Sequence, residues 1–288
     1  MFGFMDGRNS AGKPVIDTTL AHSARVHDYW LGGKDNFAAD RAAGDAVMAA
    51  YPGIVTSVRA NRAFLARVVR FLTREAGIRQ FLDIGTGLPA ANNTHEVAQA
   101  EAPEVRVVYV DYDPIVLLHA QALLTSGVPG TIDYVHADAR DPGLIMREAS
   151  RALDFSRPVA VMLIALMHLV VDTDDPYGIV ETLKAAMPSG SYLALSQVAS
   201  DIEPEQMAKA AQRYNRLAHE TQRHRTHAEV SRFFEGLELA EPGVVAVPRW
   251  RPASETEAAT HSAMWGGVAR KPSASRPRGA RDANAKRR

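Results

Sequence analysis

The chain has no cysteine in 288 residues. That excludes disulfides, thiolate zinc sites and iron–sulfur clusters, the cysteine cluster of radical cofactor chemistry included. It also removes any cysteine nucleophile. Long hydrophobic runs are missing too. The longest, Pro158 to Val171, is interrupted by His168 and is too short to span a bilayer. The start, MFGFMDGRNS, has neither the basic region nor the apolar core of a signal peptide. These absences predict a soluble cytoplasmic protein with no membrane partner. Metal-ligand spacing is scarce: no H-E-x-x-H occurs, and Arg223 and Arg225 sit among His219, His224 and His227. No metal is expected, and that histidine segment reads as part of a cap over a ligand pocket.

Net charge is zero, yet the charge is unevenly spread. Arg270 to Arg288 holds eight basic residues against Asp282 alone, so the remaining chain is acidic by the same margin. The tail has almost nothing apolar and is expected to be disordered from 272 to 288. An acidic body argues against a nucleic-acid surface on the folded domain. Residues 1 to 18, rich in Gly, Asn and Ser, are expected to be disordered as well. Oligomeric state is not legible.

The most informative stretch is FLDIGTGLP, Phe81 to Pro89. An apolar strand ends in an acid, a glycine turn follows, and a helix starts near Asn92 or Asn93. Glycine permits the sharp turn and leaves no Cβ to block a ligand. Strand, turn and helix make a nucleotide-cradling βα unit. A dinucleotide fingerprint has a third glycine where Ala90 stands. Asp83 entering the turn would repel a pyrophosphate, whereas it suits the cationic sulfonium and ammonium of S-adenosylmethionine (SAM). The second strand, Val105 to Asp111, ends in an acid at the distance where both ribose hydroxyls can be held. Tyr112 is placed beside adenine. The third strand, Ile132 to His136, leads to Asp138 and Ala139, a carboxylate for the adenine amine and an N–H for a ring nitrogen. Asp113 and Asp141, each before a proline, read as helix N-caps. The cofactor cradle is therefore expected at Asp83, Gly85, Thr86, Gly87, Asp111, Tyr112, Asp138 and Ala139.

The coarse pattern is helical at first. A helix over Leu20–Leu31 breaks at Gly32-Gly33; another, capped by Asp35 or Asn36, runs to about Tyr51; a third covers Ile54 to Ala76 with apolar residues at helical spacing. Strands follow at Gln80–Asp83, Val105–Asp111, Ile132–His136, Val159–Leu166 and Tyr192–Ser196. Between them lie helices near Thr94–Ala100, Ile115–Leu124, Leu144–Leu153 and Pro176–Met187. Near-continuous apolar strands suit a parallel sheet covered on both faces. Pro204–Leu217 and His227–Gly236 read as helices, and Leu237–Ala240 with Val244–Val247, then Ser262–Ala269, as two last strands. The domain reading is a helical cap over 19–76, a SAM-binding domain over 77–271, and a helical insertion at 201–236.

His168, after the fourth strand, is the candidate general base, since its ordinary pKa of about 6.5 suits proton acceptance near neutrality. The competing reading is a structural histidine bonded to Asp172 or Asp174. Asp174 or Asp175 is expected to cap the helix opening at Pro176.

Five segments together resemble the S-adenosyl methyltransferase group of bacterial proteins. They are ARVHDYWLGGKDNFAADR (Ala24–Arg41), ANRAFLARVVRFL (Ala60–Leu72), QFLDIGTGLP (Gln80–Pro89), VVYVDYDPIVL (Val107–Leu117) and GSYLALS (Gly190–Ser196). The resemblance covers about Ala24 to Lys271. It implies an α/β, Rossmann-like methyltransferase fold with a seven-stranded, mostly parallel sheet, SAM as cofactor, and an unassigned acceptor. The sequence departs from the group at His27, Trp30 and Met167, which bears on acceptor shape. The resemblance also lends weight to Lys34 meeting the SAM carboxylate and Tyr29 serving as a lid, against paired glycines that merely join two helices. One of Arg59, Asn61 and Arg62 could reach the same carboxylate, although for Arg62 a surface salt bridge is the favoured reading. No Pro-Pro-Tyr motif follows the fourth strand, where Ala165–His168 stands, so DNA-adenine methylation is not indicated. A small-molecule O or N acceptor remains. The rival readings are a SAM-binding sensor without catalysis and an NAD-linked oxidoreductase.

Overall fold

The computed structural model describes residues 16–116, 118–119 and 131–273. Most of the N-terminal stretch and tail expected to be disordered, and much of the helix expected over 115–124, lie outside the described residues.

Three helices come first: α1 (Ser23–Leu31), α2 (Ala38–Met48) and α3 (Ile54–Arg74). α1 stops at Gly32, whose φ of 83° lies in the left-handed region that glycine enters at little cost. The cap of α2 differs from expectation. Neither Asp35 nor Asn36 fills the role. Instead Asp40, three residues into the helix, accepts the Phe37 N–H at 2.7 Å, while the Asn36 amide turns back to Asp28 at 2.8 Å. α3 buries Val58, Phe64, Leu65, Val68, Val69 and Leu72 along one stripe, as its helical spacing requires.

The sheet is built from β1 (Gln80–Ile84), β2 (Arg106–Asp111), β3 (Ile132–His136), β4 (Ala160–Ile164), β5 (Tyr192–Val198), β6 (Glu238–Leu239), β7 (Val245–Ala246) and β8 (Met264–Arg270). Its order is β3-β2-β1-β4-β5-β8-β6, with β7 also paired to β8. The first five strands are parallel, and β8 runs antiparallel to β5. Eight strands stand where seven were expected. The reason is local: β6 and β7 both pair with β8, split by a turn at Gly243 with φ of 90°.

Successive strand residues feed two cores, as a period of two demands. Phe81, Val107 and Met162 face one side and join α3, α2 and Trp250. Leu82, Val108 and Val161 face the other. There they meet α5 (Pro142–Ala149), α6 (Pro176–Ala186) and α8 (His227–Arg232). α4 (Thr94–Glu101) follows the glycine turn, and α7 (Pro204–Leu217) packs on α2. The caps foreseen for α5 and α6 are present: Asp141 accepts from Leu144 N at 2.9 Å and Asp175 from Gly178 N at 3.1 Å. Strand order reverses direction at β1, so the crevice beyond the C-terminal ends of β1 and β4 is the topological switch point where such sheets bind ligands.

Candidate active site

The glycine turn after β1 is held by its neighbour strand. Gly85 N–H donates to the Val110 carbonyl at 2.7 Å. Its φ is +74°, and a Cβ there would lie 2.5 Å from Leu166 Cδ1, so both backbone conformation and close approach require glycine. Gly87, at φ +63°, donates its N–H to Asp111 Oδ2 at 2.8 Å. Asp111 Oδ1 accepts a second N–H, from Asp113, at 3.0 Å. A carboxylate has about four acceptor sites, so lone pairs remain on both oxygens for a pair of hydroxyls. Burial raises the Asp111 pKa against the pull of those two N–H groups.

Asp83 is buried at the start of the turn and accepts from Thr94 Oγ1 at 2.6 Å. Burial pushes its pKa up to about 6, opposed by the Thr94 bond and by Arg62. Asp138, beyond β3, is gripped by Arg140 through Nε at 2.9 Å and a terminal nitrogen at 2.6 Å. These groups open on one cavity of about 390 Å³, within the usual range for small-molecule sites. From the glycine turn it runs beneath α1, α2, α3 and α7 to the segment 219–222 and His224.

The far end of that cavity is lined by His27, His168 and His224. His168 sits in a short 3-10 turn, Met167–Leu169, directly after β4. It is 7% exposed, and its Nδ1 is enclosed without a hydrogen-bond partner among the described residues. Burial, reinforced by His224, His27 and Arg225, lowers its pKa to about 3. Burial likewise lowers His27 and His224 to about 4, helped by Arg62 and Arg223 respectively. All three rings are therefore neutral at pH 7. Neither Asp172 nor Asp174 is the partner of His168: Asp172 is taken by Arg225 at 2.8 Å and Arg223 at 3.0 Å. Arg225, with no exposed side-chain surface, also donates to the carbonyls of Met167 at 2.6 Å and Val170 at 2.9 Å. It fixes the turn that carries His168 from both sides.

A second cluster lies beside the cavity and reaches its wall through Glu220 and Tyr112. His22 Nδ1 lies 2.8 Å from Asp113 Oδ2, and its Nε2 lies 2.8 Å from Glu220 Oε1. Burial works against the His22 charge, but the Asp113 and Glu220 contacts prevail and raise its pKa to about 10. Glu220 is held at about 2 despite burial, by His22 and by the Tyr112 hydroxyl that donates to it. One backbone bridge, Ala21 to Ala218, runs beside this cluster.

All eight residues expected at the cofactor cradle line the cavity, as do Asn61 and His168. Asn61 accepts from Ser196 Oγ at 2.6 Å, tying α3 to β5. Two expected residues are not brought to the cavity. Lys34 is exposed and does not line the cavity, and Tyr29 lies outside it with its hydroxyl committed to Asp45 at 2.7 Å. Arg62 forms no salt bridge among the described residues, where a surface one was expected; it lines the cavity and donates to the Ala91 and Asn92 carbonyls at 2.8 and 3.1 Å. Sequence reasoning missed His22, Glu220 and Arg225 as site-shaping residues. Their partners lie far away in the chain, and no local pattern marks them. Among the described residues no three His, Asp or Glu side chains are placed to hold a metal ion, and no helix is long and apolar enough to cross a membrane.

A mostly parallel sheet with an acid-glycine turn at its switch point and a second acid one strand over defines a SAM-dependent methyltransferase. The family model described as S-adenosyl methyltransferase matches residues 9–272. The chain belongs to that family, and its cofactor is SAM. It is similar to a DUF574-family protein of Streptomyces avermitilis, at 49% identity and TM-score 0.85, over 90% of this chain and 100% of that one. It is similar also to a candidate methyltransferase of Thermobifida fusca, at 41% identity and TM-score 0.83, over 89% and 97% of the two chains. A comparison with curated proteins gave no match.

Proposed function

We propose that the protein methylates a small molecule at oxygen or nitrogen, with the acceptor bound beneath the N-terminal helices and His168 as the general base. The observation that carries this reading is the neutral, unpartnered imidazole of His168 in the cavity wall, one turn beyond β4. The residues of the turn fit the cofactor. Asp83 presents negative charge to a cationic methionine end, and the left-handed glycines bring backbone close without a side chain. Asp111 keeps acceptor lone pairs for the ribose hydroxyls. Tyr112, Asp138 and Ala139 frame the adenine. When bound, SAM supplies an electrophilic methyl group and a thioether leaving group.

The protein's own contribution is position and electrostatics. Apolar side chains under α1 to α3 and α7 exclude water. The clamp of Arg225 on the carbonyls of Met167 and Val170 holds His168 still. A neutral imidazole there can accept a proton from the acceptor as the new bond forms. In domain terms, 19–76 and 201–236 roof the site that 77–271 supplies, in a cytoplasmic enzyme.

The test is calorimetric titration with SAM, S-adenosylhomocysteine and NAD, followed by an acceptor screen. Binding of both adenosyl ligands without NAD is expected. Binding of NAD alone would overturn the reading, and His168→Ala with undiminished turnover of a true acceptor would remove the base.

A further inference from the structure

The acceptor end of the cavity differs in kind from the cofactor end, and it narrows the acceptor if the methyltransferase reading above holds. Its walls are apolar: Trp30, Val58, Leu65, Met207 and Met264 are all buried and line it. Every carboxylate on the cavity wall is already engaged. Asp83 is bonded to Thr94 and Asp111 to two backbone N–H groups. Asp138 and Asp174 are paired with Arg140, Glu220 with His22, and Asp28 with the Asn36 amide. Asp83 and Asp111 belong to the glycine-turn end, Asp138, Asp174 and Glu220 have cationic partners, and Asp28 gathers the loop after α1, so an ammonium group would find no dedicated carboxylate at the acceptor end, and burying an unpaired charge is costly. The polar groups left open are neutral. His168 Nδ1 has no partner, and the buried Tyr214 hydroxyl lacks a bond of good geometry, with Ser23 and Gln222 the polar side chains beside it.

We propose that the acceptor is an uncharged, largely apolar molecule bearing an acidic hydroxyl, of the phenol or enol class, methylated on that oxygen while His168 takes its proton. In the transfer the acceptor oxygen forms a bond to the methyl carbon. The carbon–sulfur bond breaks with its electron pair left on sulfur, giving a neutral thioether, and the hydroxyl proton passes to the His168 imidazole and then to solvent. The unpartnered Nδ1 in the cavity wall can accept a hydroxyl proton, and an acidic hydroxyl asks the least of it. The hydroxyl also answers the open polar groups without bringing charge that the wall cannot meet.

The test is equilibrium binding to the full-length protein saturated with S-adenosylhomocysteine. The probes are phenols of one to three fused rings and ring-matched ammonium compounds, such as 2-naphthol against 2-naphthylmethylammonium. At least one phenol should bind about tenfold or more tighter than its ammonium partner, because a site made for a neutral hydroxyl leaves a cation unpaired. His168→Asn should weaken that phenol about fivefold, one hydrogen bond's worth, and leave S-adenosylhomocysteine affinity unchanged. Ammonium compounds binding as tightly as the phenols, the whole phenol series failing to bind, or His168→Asn having no effect would overturn the proposal. If S-adenosylhomocysteine itself fails to bind, the fault lies with the cofactor assignment and not with the acceptor class.

Discussion

The two ends of this cavity are built by different means. The end proposed for the cofactor is made from strand ends: Asp83 to Gly87, Asp111 with Tyr112, and Asp138 with Ala139, at or just beyond the C-terminal ends of β1, β2 and β3. Its bonds are short-range within the sheet, strand to neighbouring strand. The acceptor end is gathered from α1, α3, α7, the turn after β4 and the segment around His224. Carboxylates dominate one end and neutral imidazoles the other. A fold that must bind one cofactor keeps that site in its sheet edge. The site that must fit a particular acceptor is assembled from helices and loops, which can change without disturbing the sheet.

The largest test of this division is Arg225. Arg225→Met removes the guanidinium donors of the Met167 and Val170 carbonyls and leaves Met167 only the long bond from Val170 N–H at 3.4 Å, with an expected cost of about 3 kcal/mol in urea unfolding. If the two ends are separable, a lower urea concentration should suffice to unfold this variant while its SAM affinity, measured below that point, stays near wild type. Next comes Asp111→Ala. It removes the acceptor for two hydroxyls, and about 2–3 kcal/mol of SAM affinity should go with it, read by calorimetry. Phenol or other acceptor-end binding should fall far less; equal losses at both ends would erase the distinction.

Acid should separate the ends in a third way. His168 and His224 have folded-state pKa values of about 3 and 4, below the ordinary 6.5, so the unfolded chain binds protons first. Their neutral burial therefore costs stability as pH falls below about 6.5, by roughly 1 kcal/mol for each histidine by pH 5.5. The His22 cluster behaves in the opposite sense. His22 is raised to about 10 and Glu220 held at about 2. Its contribution is complete between about pH 5 and 6.5, fades as pH rises toward 10, and fades on the acid side only as pH falls toward 2. Unfolding free energy measured from pH 7 to 5 should decline, and His168→Asn should flatten that decline. The smallest effect belongs to Tyr112→Phe, which deletes one hydroxyl bond to Glu220; a drop of about 1 kcal/mol in stability is expected, measured in the same urea series.

The same division explains what could be read from the amino-acid sequence. Strand–turn–helix periodicity and acids at fixed offsets are local, so Asp83, Gly85, Gly87 and Asp111 were legible, and so were the caps at Asp141 and Asp175. The pairing of His22 with Glu220 spans 198 residues and leaves no local mark. Lys34 and Tyr29 were expected at the site through the family resemblance, and the structure places both outside the cavity. In the folded chain Asp28 gathers the loop after α1 through the Asn36 amide and the Asp35 N–H, and Asp45 holds Tyr29. Arg225 carries no local mark either, because the Met167 and Val170 carbonyls it meets lie 58 and 55 residues away in the chain.

The bridge from Ala21 to Ala218 and the packing of α2 on α7 carry a consequence for synthesis. α1 and α2 are made before the parallel strands, and α7, on which α2 packs, is made after them. While the chain emerges from the ribosome, α1 and α2 must wait through the whole parallel sheet before α7 and Glu220 arrive. Contacts this distant in sequence close late. The chamber is therefore expected to be sealed at the end of folding. A nascent chain halted before residue 204 would carry a glycine turn and strand ends already in place beside an amphipathic helical arm with nothing to clasp.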